Sequence, residues 1–239
     1  MGTPAFTYHR EVLDTFPDTV GGVILADDLS NGPSSESLLD NYYAEQKVTL
    51  ARTGSTPLSE LVPLAAWRSV FRQFGVNPTK YRSAPEALLR RLTKQGDIPS
   101  INKLVDIANM ISIRYTLPVA VFDIQHLQGG ITVHFAEGTE RFTPLGESAG
   151  ENPEKGEVVF SDESKLVVAR RWCWRQSAES AAGESLRSAT ITIEAQHETG
   201  RQDVEAALRD MLELLQTHAG GTLSSGILDF RTPSISRNE

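Results

Sequence analysis

Three short polar side chains in the middle of the chain recur at the spacing of one helix face. Asn102, Asp106 and Asn109 are four and three residues apart in a largely apolar segment, so on a helix they form one stripe. Such residues are poor helix formers, because their side chains compete for backbone hydrogen bonds. Their amides can stabilise an oxyanion, and a carboxylate can orient water or bind an ammonium group. The stripe predicts either the wall of a cleft between helices and strands or a buried polar network that holds the fold together.

The run from Arg170 to Arg175 contains three arginines and two tryptophans. On a strand, Arg171, Cys173 and Arg175 would share one face. Arginine beside tryptophan suits phosphate contact together with base stacking at a single-stranded end of RNA. The alternative is a tryptophan in the core with arginine side chains extending past it to solvent. Earlier cations either join this group on one RNA-binding face or form the solvated side of a helix: Lys80, Arg82, Arg90, Arg91 and Lys94.

The sequence carries no pattern for metal, nucleotide or thiol chemistry. A single cysteine, Cys173, cannot form an internal disulfide or a multi-cysteine zinc site and fits a reducing compartment. It is interpreted as a core residue, because no histidine stands near it in a recognisable nucleophile pattern. The five histidines lack metal-ligand spacing, and no glycine pair forms a phosphate-binding loop. We therefore expect no metal and no nucleotide cofactor.

The composition narrows the class of protein further. The 239 residues, 39% of them hydrophobic, can bury a sizeable core. A net charge of −8 argues against non-specific coating of nucleic acid but allows a local basic face. Neither a secretory signal nor an apolar run long enough to span a membrane is present. We expect a cytoplasmic protein.

Helical signals dominate the first half of the chain and strand signals the second, which predicts an α+β fold. Ser83 and Glu86 have the spacing of a capping box. Strand-like runs follow Pro118, and one of them covers residues 166–174. Three regions are expected: a strand–helix extension over 1–55 packed on the domain, the main domain over 56–218, and a flexible tail over 219–239.

Three segments together carry a resemblance to a known family: Ile101–Asn109, Leu117–Asp123 and Gly129–Val133. They resemble the editing module of the phenylalanyl-tRNA synthetase β chain, which has a V-D-V-T-N helix, a P-M-H-A-F-D strand and a G-G-I-V-V strand at the same spacings. The flanking Tyr81-Arg82-Ser83 and Arg171-Trp172 are more like its freestanding B3/B4 relatives. The resemblance covers roughly residues 60–218 and implies the compact α/β sandwich shared with the C-terminal domain of tRNA-lysidine synthetase, with helices preceding most of the strands.

Position by position, the match to the synthetase module is partial. Asn109 stands where the module has its pocket asparagine, and Ala108 replaces the threonine before it. Ala120 stands where the module has an editing-site histidine, and Glu194 aligns with the glutamate that reads the hydroxyl of misloaded tyrosine. The resemblance and the residue patterns together assign catalysis to Asn109, Asp106 and Glu194, substrate contacts to Asn102, Ala120, Tyr81, Arg82 and Trp172, and tRNA contacts to Arg90, Arg91, Arg171 and Arg175.

The resemblance implies a hydrolase that deacylates mischarged aminoacyl-tRNA in trans, with tRNA as its partner. An aminoacyl ester is already activated, so hydrolysis mainly needs a positioned water and oxyanion stabilisation. Asp106 and Glu194 would favour a polar or basic amino acid over tyrosine, and canavanine on arginine tRNA is one specificity linked to the group. The alternatives are a non-catalytic module that binds tRNA or an amino acid, and a small-molecule binding protein.

Overall fold

A computed structural model describes residues 4–147 and 149–237 of the chain. The α-helices in this part are α1 (Arg10–Thr15), α2 (Glu36–Thr53), α3 (Val62–Gln73), α4 (Ala84–Gln95), α5 (Lys103–Tyr115) and α6 (Gly200–His218), with a 3-10 turn at Leu58–Glu60. The strands are β1 (Phe6–Tyr8), β2 (Val20–Asp27), β3 (Val119–Asp123), β4 (Ile131–Phe135), β5 (Val158–Ser161), β6 (Val167–Arg170), β7 (Arg175–Gln176), β8 (Ala189–Ala195), β9 (Thr222–Leu228) and β10 (Ser234–Ile235). None of these helices combines the length and hydrophobicity needed to cross a bilayer.

The strands form two sheets. One sheet has four strands in the order β3-β8-β2-β9, and all of its pairs are antiparallel. The other has six strands in the order β10-β1-β4-β5-β6-β7, in which only β1 and β4 run parallel. In the four-stranded sheet Ala120 pairs with Thr192 and Gly21 pairs with Glu194, so β8 carries its carboxylate between two neighbouring strands.

The four-stranded sheet is the middle layer of the molecule. Alternate residues of β2 point to opposite faces: Ile24 belongs to a core shared with α2, α4, α5 and α6, whereas Val23 and Leu25 belong to a core shared with the six-stranded sheet and α3. Burial on both faces explains why β2 reads as a nearly continuous apolar run. β8 is buried throughout as well, but it alternates apolar residues with Thr190, Thr192 and Glu194. The predicted α+β class and sandwich are confirmed.

The ends of the chain are integral to both sheets. β2, from the predicted extension, is an inner strand flanked by β8 and β9. The prediction of a flexible tail over 219–239 is wrong for β9 and β10, which pair with β2 and β1. β9 was missed because Thr222, Ser224 and Ser225 make its sequence polar. That polarity fits an edge strand whose side chains are mostly exposed or half-buried.

The strand predicted over residues 166–174 ends at Arg170, and a four-residue turn leads into β7. Arg171 and Trp172 have φ angles of 47° and 61°, which non-glycine residues rarely adopt. No glycine or proline marks this turn in the sequence. The predicted capping box is also wrong, since Ser83 makes no side-chain cap and Glu86 pairs instead with Arg68, 2.7 Å away.

Candidate functional site

Two cavities adjoin between the helical layer and the turn after β6. The larger, of about 510 Å³, lies between α5, β3 and residues 181–184. The smaller, of about 80 Å³, lies between β3, β8 and the 172–176 segment. Val119, Ala120 and Gln176 line both cavities, so they meet at these residues. The small side chain at Ala120 keeps the junction open.

The polar stripe of α5 divides between this cleft and the interior. Asn102 and Asn109 line the larger cavity, together with Ala108. Asn102 is also the N-cap of α5: its Oδ1 accepts from the Val105 amide at 3.1 Å, and its Nδ2 donates to the Ala182 carbonyl at 2.7 Å. Asn102 therefore fixes the loop that forms the far wall. The side chain of Asn109 approaches the buried hydroxyl of Tyr42.

Asp106 is not part of the cleft, which corrects its predicted catalytic role. Its side chain is fully buried and does not line either cavity. Oδ2 accepts from the hydroxyls of Ser34 and Ser100 at 2.6 and 2.5 Å, and Oδ1 accepts from the Ile101 amide at 2.9 Å. The carboxylate ties the loop before α2 to the start of α5. At this end of the helix the helix dipole also stabilises a negative charge. Asp106 belongs to a structural network.

The different roles of Asp106 and Asn109 can be separated by alanine substitution. Asp106→Ala removes a buried acceptor from three hydrogen bonds and is expected to lower the free energy of unfolding by about 2 kcal/mol. Asn109→Ala, one turn later on the same helix, is half-buried at the cavity wall and should cost less than about 1 kcal/mol. Urea denaturation of both variants measures the difference. Equal losses would contradict this assignment.

Glu194 is the carboxylate of the smaller cavity, and Glu184 lines the larger one. Glu194 is buried on β8. Its Oε1 accepts from the Tyr8 hydroxyl at 2.6 Å and from Trp172 Nε1 at 2.9 Å. No donor among the described residues reaches Oε2, so that oxygen is available to a ligand. Burial raises the pKa of Glu194 to about 7, although the hydrogen bonds from Tyr8 and Trp172 act to lower it.

Trp172 lines the smaller cavity and positions Glu194, but its buried ring is not a stacking surface for RNA. Its side chain is fully buried, and its ring packs edge-on against Phe16 and Trp67 with centroids 5.2 and 5.3 Å away. The unusual backbone of the turn is what directs the indole inward to donate to Glu194. Cys173 also lines the smaller cavity, and burial raises the pKa of its thiol. A thiolate nucleophile is disfavoured.

A stack of cations and aromatic rings stands beside the smaller cavity. The Arg171 guanidinium lies 3.9 Å from the Tyr81 ring centroid and 4.6 Å from that of Trp174. The two rings meet edge to face with centroids 4.9 Å apart. Lys80 and Arg175 extend the stack at 4.9 and 4.8 Å. Trp174 and Arg175 also line the cavity, so the stack forms part of its rim.

The predicted basic groups divide into cations that are already paired and cations that are not. Arg170 is buried and paired with Glu157 at 2.6 Å and with Glu151. Arg91 lies 3.8 Å from Asp97 and lines none of these cavities. Arg82 and Arg90 line a third cavity on the other side of the 80–84 segment. Of the predicted tRNA contacts, Arg171 and Arg175 lie together beside Tyr81, a predicted substrate contact, and Arg91 is apart. Arg171 is itself buried and paired with Glu154 and Glu157 at 3.2 and 3.5 Å, so its guanidinium supports the two rings more than it offers a free charge to RNA.

Sequence reasoning missed Tyr8 and Gln176. Tyr8 reaches Glu194 from a strand 186 residues away in the chain. The signal in the sequence is a glycine, Gly21, inside a strand-like run. In the structure Gly21 pairs with Glu194, and a Cβ at this position would collide with the Tyr8 hydroxyl. Gln176 fixes the junction by donating from Nε2 to the Val121 and Ser180 carbonyls at 2.8 and 2.5 Å. Within residues 4–147 and 149–237, no cluster of His, Cys, Asp and Glu could hold a metal ion.

Comparison with known proteins gives a consistent family match. A family model described as the B3/4 domain matches residues 66–220. Phenylalanine–tRNA ligase beta subunits are similar over shorter stretches: that of Fusobacterium nucleatum subsp. nucleatum is 32% identical over 93 residues, which are 39% of this chain and 11% of that protein. The Colwellia psychrerythraea subunit is 35% identical over 94 residues, again 39% and 11%.

These relatives are much longer than the part that matches. The Aquifex aeolicus beta subunit is 31% identical over 99 residues, 41% of this chain and 13% of that protein, so the chain spans about a tenth of the length of such subunits. Among solved structures, an N-terminal fragment of the phenylalanyl-tRNA synthetase beta-subunit from Pyrococcus horikoshii is similar with a TM-score of 0.46 and 13% identity, covering 93% of this chain and 51% of that chain. A likeness at that level carries no argument about the site.

Proposed function

Because this chain belongs to the B3/4 domain family, we propose that it is an aminoacyl-tRNA deacylase acting in trans on mischarged tRNA. One observation carries the proposal. The amide of Asn109 and the carboxylate of Glu194 lie in two cavities that meet at Ala120, beside a stack of Arg171 with Tyr81 and Trp174. This arrangement supports an ester-hydrolysis pocket next to a platform for an unpaired RNA end.

In the proposed reaction, a water molecule attacks the carbonyl carbon that joins the amino acid to the terminal ribose. The carbon–oxygen bond to the ribose then breaks, the amino acid leaves as a carboxylic acid, and the ribose oxygen takes up a proton. Asn109 can donate to the oxyanion that develops. An ester this activated needs no strong side-chain base, which is compatible with alanine at position 120. The ribose of the tRNA itself is a further source of assistance.

Glu194 is proposed to select the amino acid. Ala108 and Ala120 leave the larger cavity wide, at about 510 Å³, whereas Glu194 presents Oε2 in the smaller one. A buried carboxylate without a partner is costly, so a polar or cationic group that pairs with it is favoured. Asp106 is occupied elsewhere, so the carboxylates at the adjoining cavities are Glu194 in the smaller one and Glu184 in the larger one. A guanidino-like group such as that of canavanine suits this acidic lining.

A panel of tRNAs carrying different non-cognate amino acids tests the proposal. The purified protein should release amino acids with polar or basic side chains catalytically, and tyrosine from phenylalanine tRNA only slowly. Release of none of them, with tRNA still bound, would favour the alternative of a non-catalytic module. That alternative is supported by Ala120, which stands where the editing module has its histidine.

The aromatic stack makes a separate prediction about substrate affinity. Trp174→Ala removes one ring of the stack, and base stacking on an aromatic side chain contributes about 1–3 kcal/mol. KM for aminoacyl-tRNA should therefore rise about tenfold, with kcat little changed, because the ring does not contact the ester. Steady-state kinetics measure both constants. Trp174→Phe is the matched control and should restore most of the affinity; a fall in kcat alone would contradict the platform role.

A further inference from the structure

A third cavity concentrates positive charge on an otherwise acidic protein. It has a volume of about 370 Å³ and lies between the 3-10 turn, α3 and α4. Its lining includes four cations and a single carboxylate, with the hydroxyls of Ser59, Thr79 and Thr93 between them. The cations are Arg68, Arg82, Arg90 and Lys94, and the carboxylate is Glu86.

One oxygen of the carboxylate is already committed, and the other, Oε2, is buried without a hydrogen-bond partner among the described residues. Glu86 accepts from Arg68 Nη1 at 2.7 Å, with the two side chains only 6% and 16% exposed. Arg68 is further held by Thr79 Oγ1 at 3.3 Å from Nη2. Neither Arg82 nor Arg90 has an ion-pair partner among the described residues, and the same holds for Lys94. The cavity thus holds a fixed, preoriented guanidinium and three cations whose mutual repulsion a bound anion would relieve.

Several arginines outside this cavity already have carboxylate partners. Arg91, the next residue after Arg90, interacts with Asp97. Arg170 and Arg171 are both paired with Glu157, at 2.6 and 3.5 Å. The basic cavity differs from these pairs, because three of its cations line one hollow without a carboxylate partner among the described residues.

The cavity lies next to the RNA platform in the chain. Arg82 directly follows Tyr81, so their Cα atoms are about 3.8 Å apart, and Ala84 lines the smaller cavity beside Glu194. One short segment, residues 80–84, therefore contributes to the stack, the basic cavity and the acidic pocket. RNA whose end rests on Tyr81 and Trp174 has a phosphate within reach of Arg82.

We propose that this cavity binds one backbone phosphate of the tRNA near its stacked 3′ end, an inference that rests on the proposed function. Guanidinium groups recognise phosphate through paired N–H donors, and a lysine adds a point charge. The phosphate supplies the negative charge that Arg82, Arg90 and Lys94 lack in the cavity. The phosphate contact fixes the register of the RNA, so that the terminal ester meets Asn109 and not the solvent.

Binding of uncharged tRNA at a series of salt concentrations tests the phosphate site. Arg90→Gln combined with Lys94→Gln should raise Kd about tenfold, and the slope of log Kd against log salt should fall by about 1, as expected for one lost phosphate contact. The matched control combines Lys47→Gln on α2 with Arg209→Gln on α6, two exposed cations outside the cavities, and changes the net charge equally. Fluorescence anisotropy of labelled tRNA measures both variants against the parent.

Three results would overturn the proposal. Equal weakening by the control pair would reduce the effect to net charge. If the slope of log Kd against log salt is unchanged in the Arg90/Lys94 variant, the cavity does not bind a phosphate of the tRNA. Tight binding of inorganic phosphate, lost in that variant while its tRNA affinity stays at the parental value, would assign the cavity to a small free anion.

The test of the phosphate site can be distinguished from the test of deacylase activity. Suppose that no ester in the panel is cleaved, but the Arg90/Lys94 variant still binds tRNA more weakly and with a smaller salt dependence. The phosphate site is then supported and the deacylase activity is refuted. If esters are cleaved and the variant binds tRNA as the parent does, the reverse holds.

Discussion

Raising the pH from about 5 to about 8 is expected to destabilise the protein by about 2–3 kcal/mol through Glu194 alone. The pKa of this carboxyl is raised by burial to about 7, from an ordinary value of 4.5. Between these two values the folded state binds the proton more tightly than the unfolded state. Unfolding therefore becomes easier as the pH rises through this window, the reverse of what a salt-bridged carboxylate would give.

Glu194→Gln isolates this contribution. Glutamine keeps an oxygen that can accept from Tyr8 and Trp172 but cannot ionise, so the gap in stability between variant and parent should grow by about 2–3 kcal/mol between about pH 5 and about pH 8. Glu140→Gln is the matched control. Glu140 is also buried, but backbone amides of residues 137–139 bind it and its pKa is lowered, so that variant should keep the parental slope. Denaturant titrations at several pH values give the comparison. Parallel curves for parent and Glu194→Gln would contradict a buried carboxyl that titrates near neutrality.

Removing the Glu194 carboxylate is expected to lower kcat/KM for the preferred mischarged tRNA at least about tenfold, or ~1.4 kcal/mol of transition-state binding. Glu194→Ala leaves both the Tyr8 hydroxyl and the Trp172 indole N–H without their acceptor. Glu194→Gln preserves those hydrogen bonds, so any further loss in that variant reports the missing charge. If the substrate is cationic, Glu194→Gln should lose most of the activity on basic side chains and much less on neutral polar ones.

The same residue governs the pH profile of that reaction. For a cationic side chain, binding strengthens as Glu194 ionises, so kcat/KM should rise through about pH 7 and level off above it. A bound cation would also lower the pKa of the carboxyl. Kinetics with basic and neutral esters across this range measure both effects. A flat profile for the basic ester, with Glu194→Ala matching the parent, would mean that Glu194 does not contact the amino acid.

Local patterns were enough to predict the elements that carry the cleft. The apolar spacing predicted α5 and the strand runs, and the resemblance to the synthetase module brought Asn109, Ala120 and Glu194 into one hypothesis. The structure brings all three to adjoining cavities. Asn102 was also placed correctly at the cleft, but its capping role depends on a backbone angle that spacing cannot reveal.

The roles that could not be predicted depend on long-range packing. Asp106 belongs to the same stripe as Asn109, yet the loop carrying Ser34 folds over it and closes its hydrogen bonds. Trp172 and Trp174 look equivalent in a strand pattern, and the two positive φ angles of the turn place one in the core and the other at the rim. Tyr8 lies far from Glu194 in sequence, and only the pairing of β2 with β8 and the burial of β1 bring them together.

The central claim, that the adjoining cavities form an ester-hydrolysis site, is tested most directly by multiple-turnover hydrolysis of canavanine-charged arginine tRNA. Correctly charged arginyl-tRNA and tyrosine-charged phenylalanine tRNA serve as competing substrates. The account predicts many turnovers per protein on the canavanyl ester, slow release of tyrosine, and at least about tenfold loss in both Asn109→Ala and Glu194→Gln. Efficient cleavage of the tyrosyl ester by parent and variants alike, or no cleavage of any ester, would contradict it.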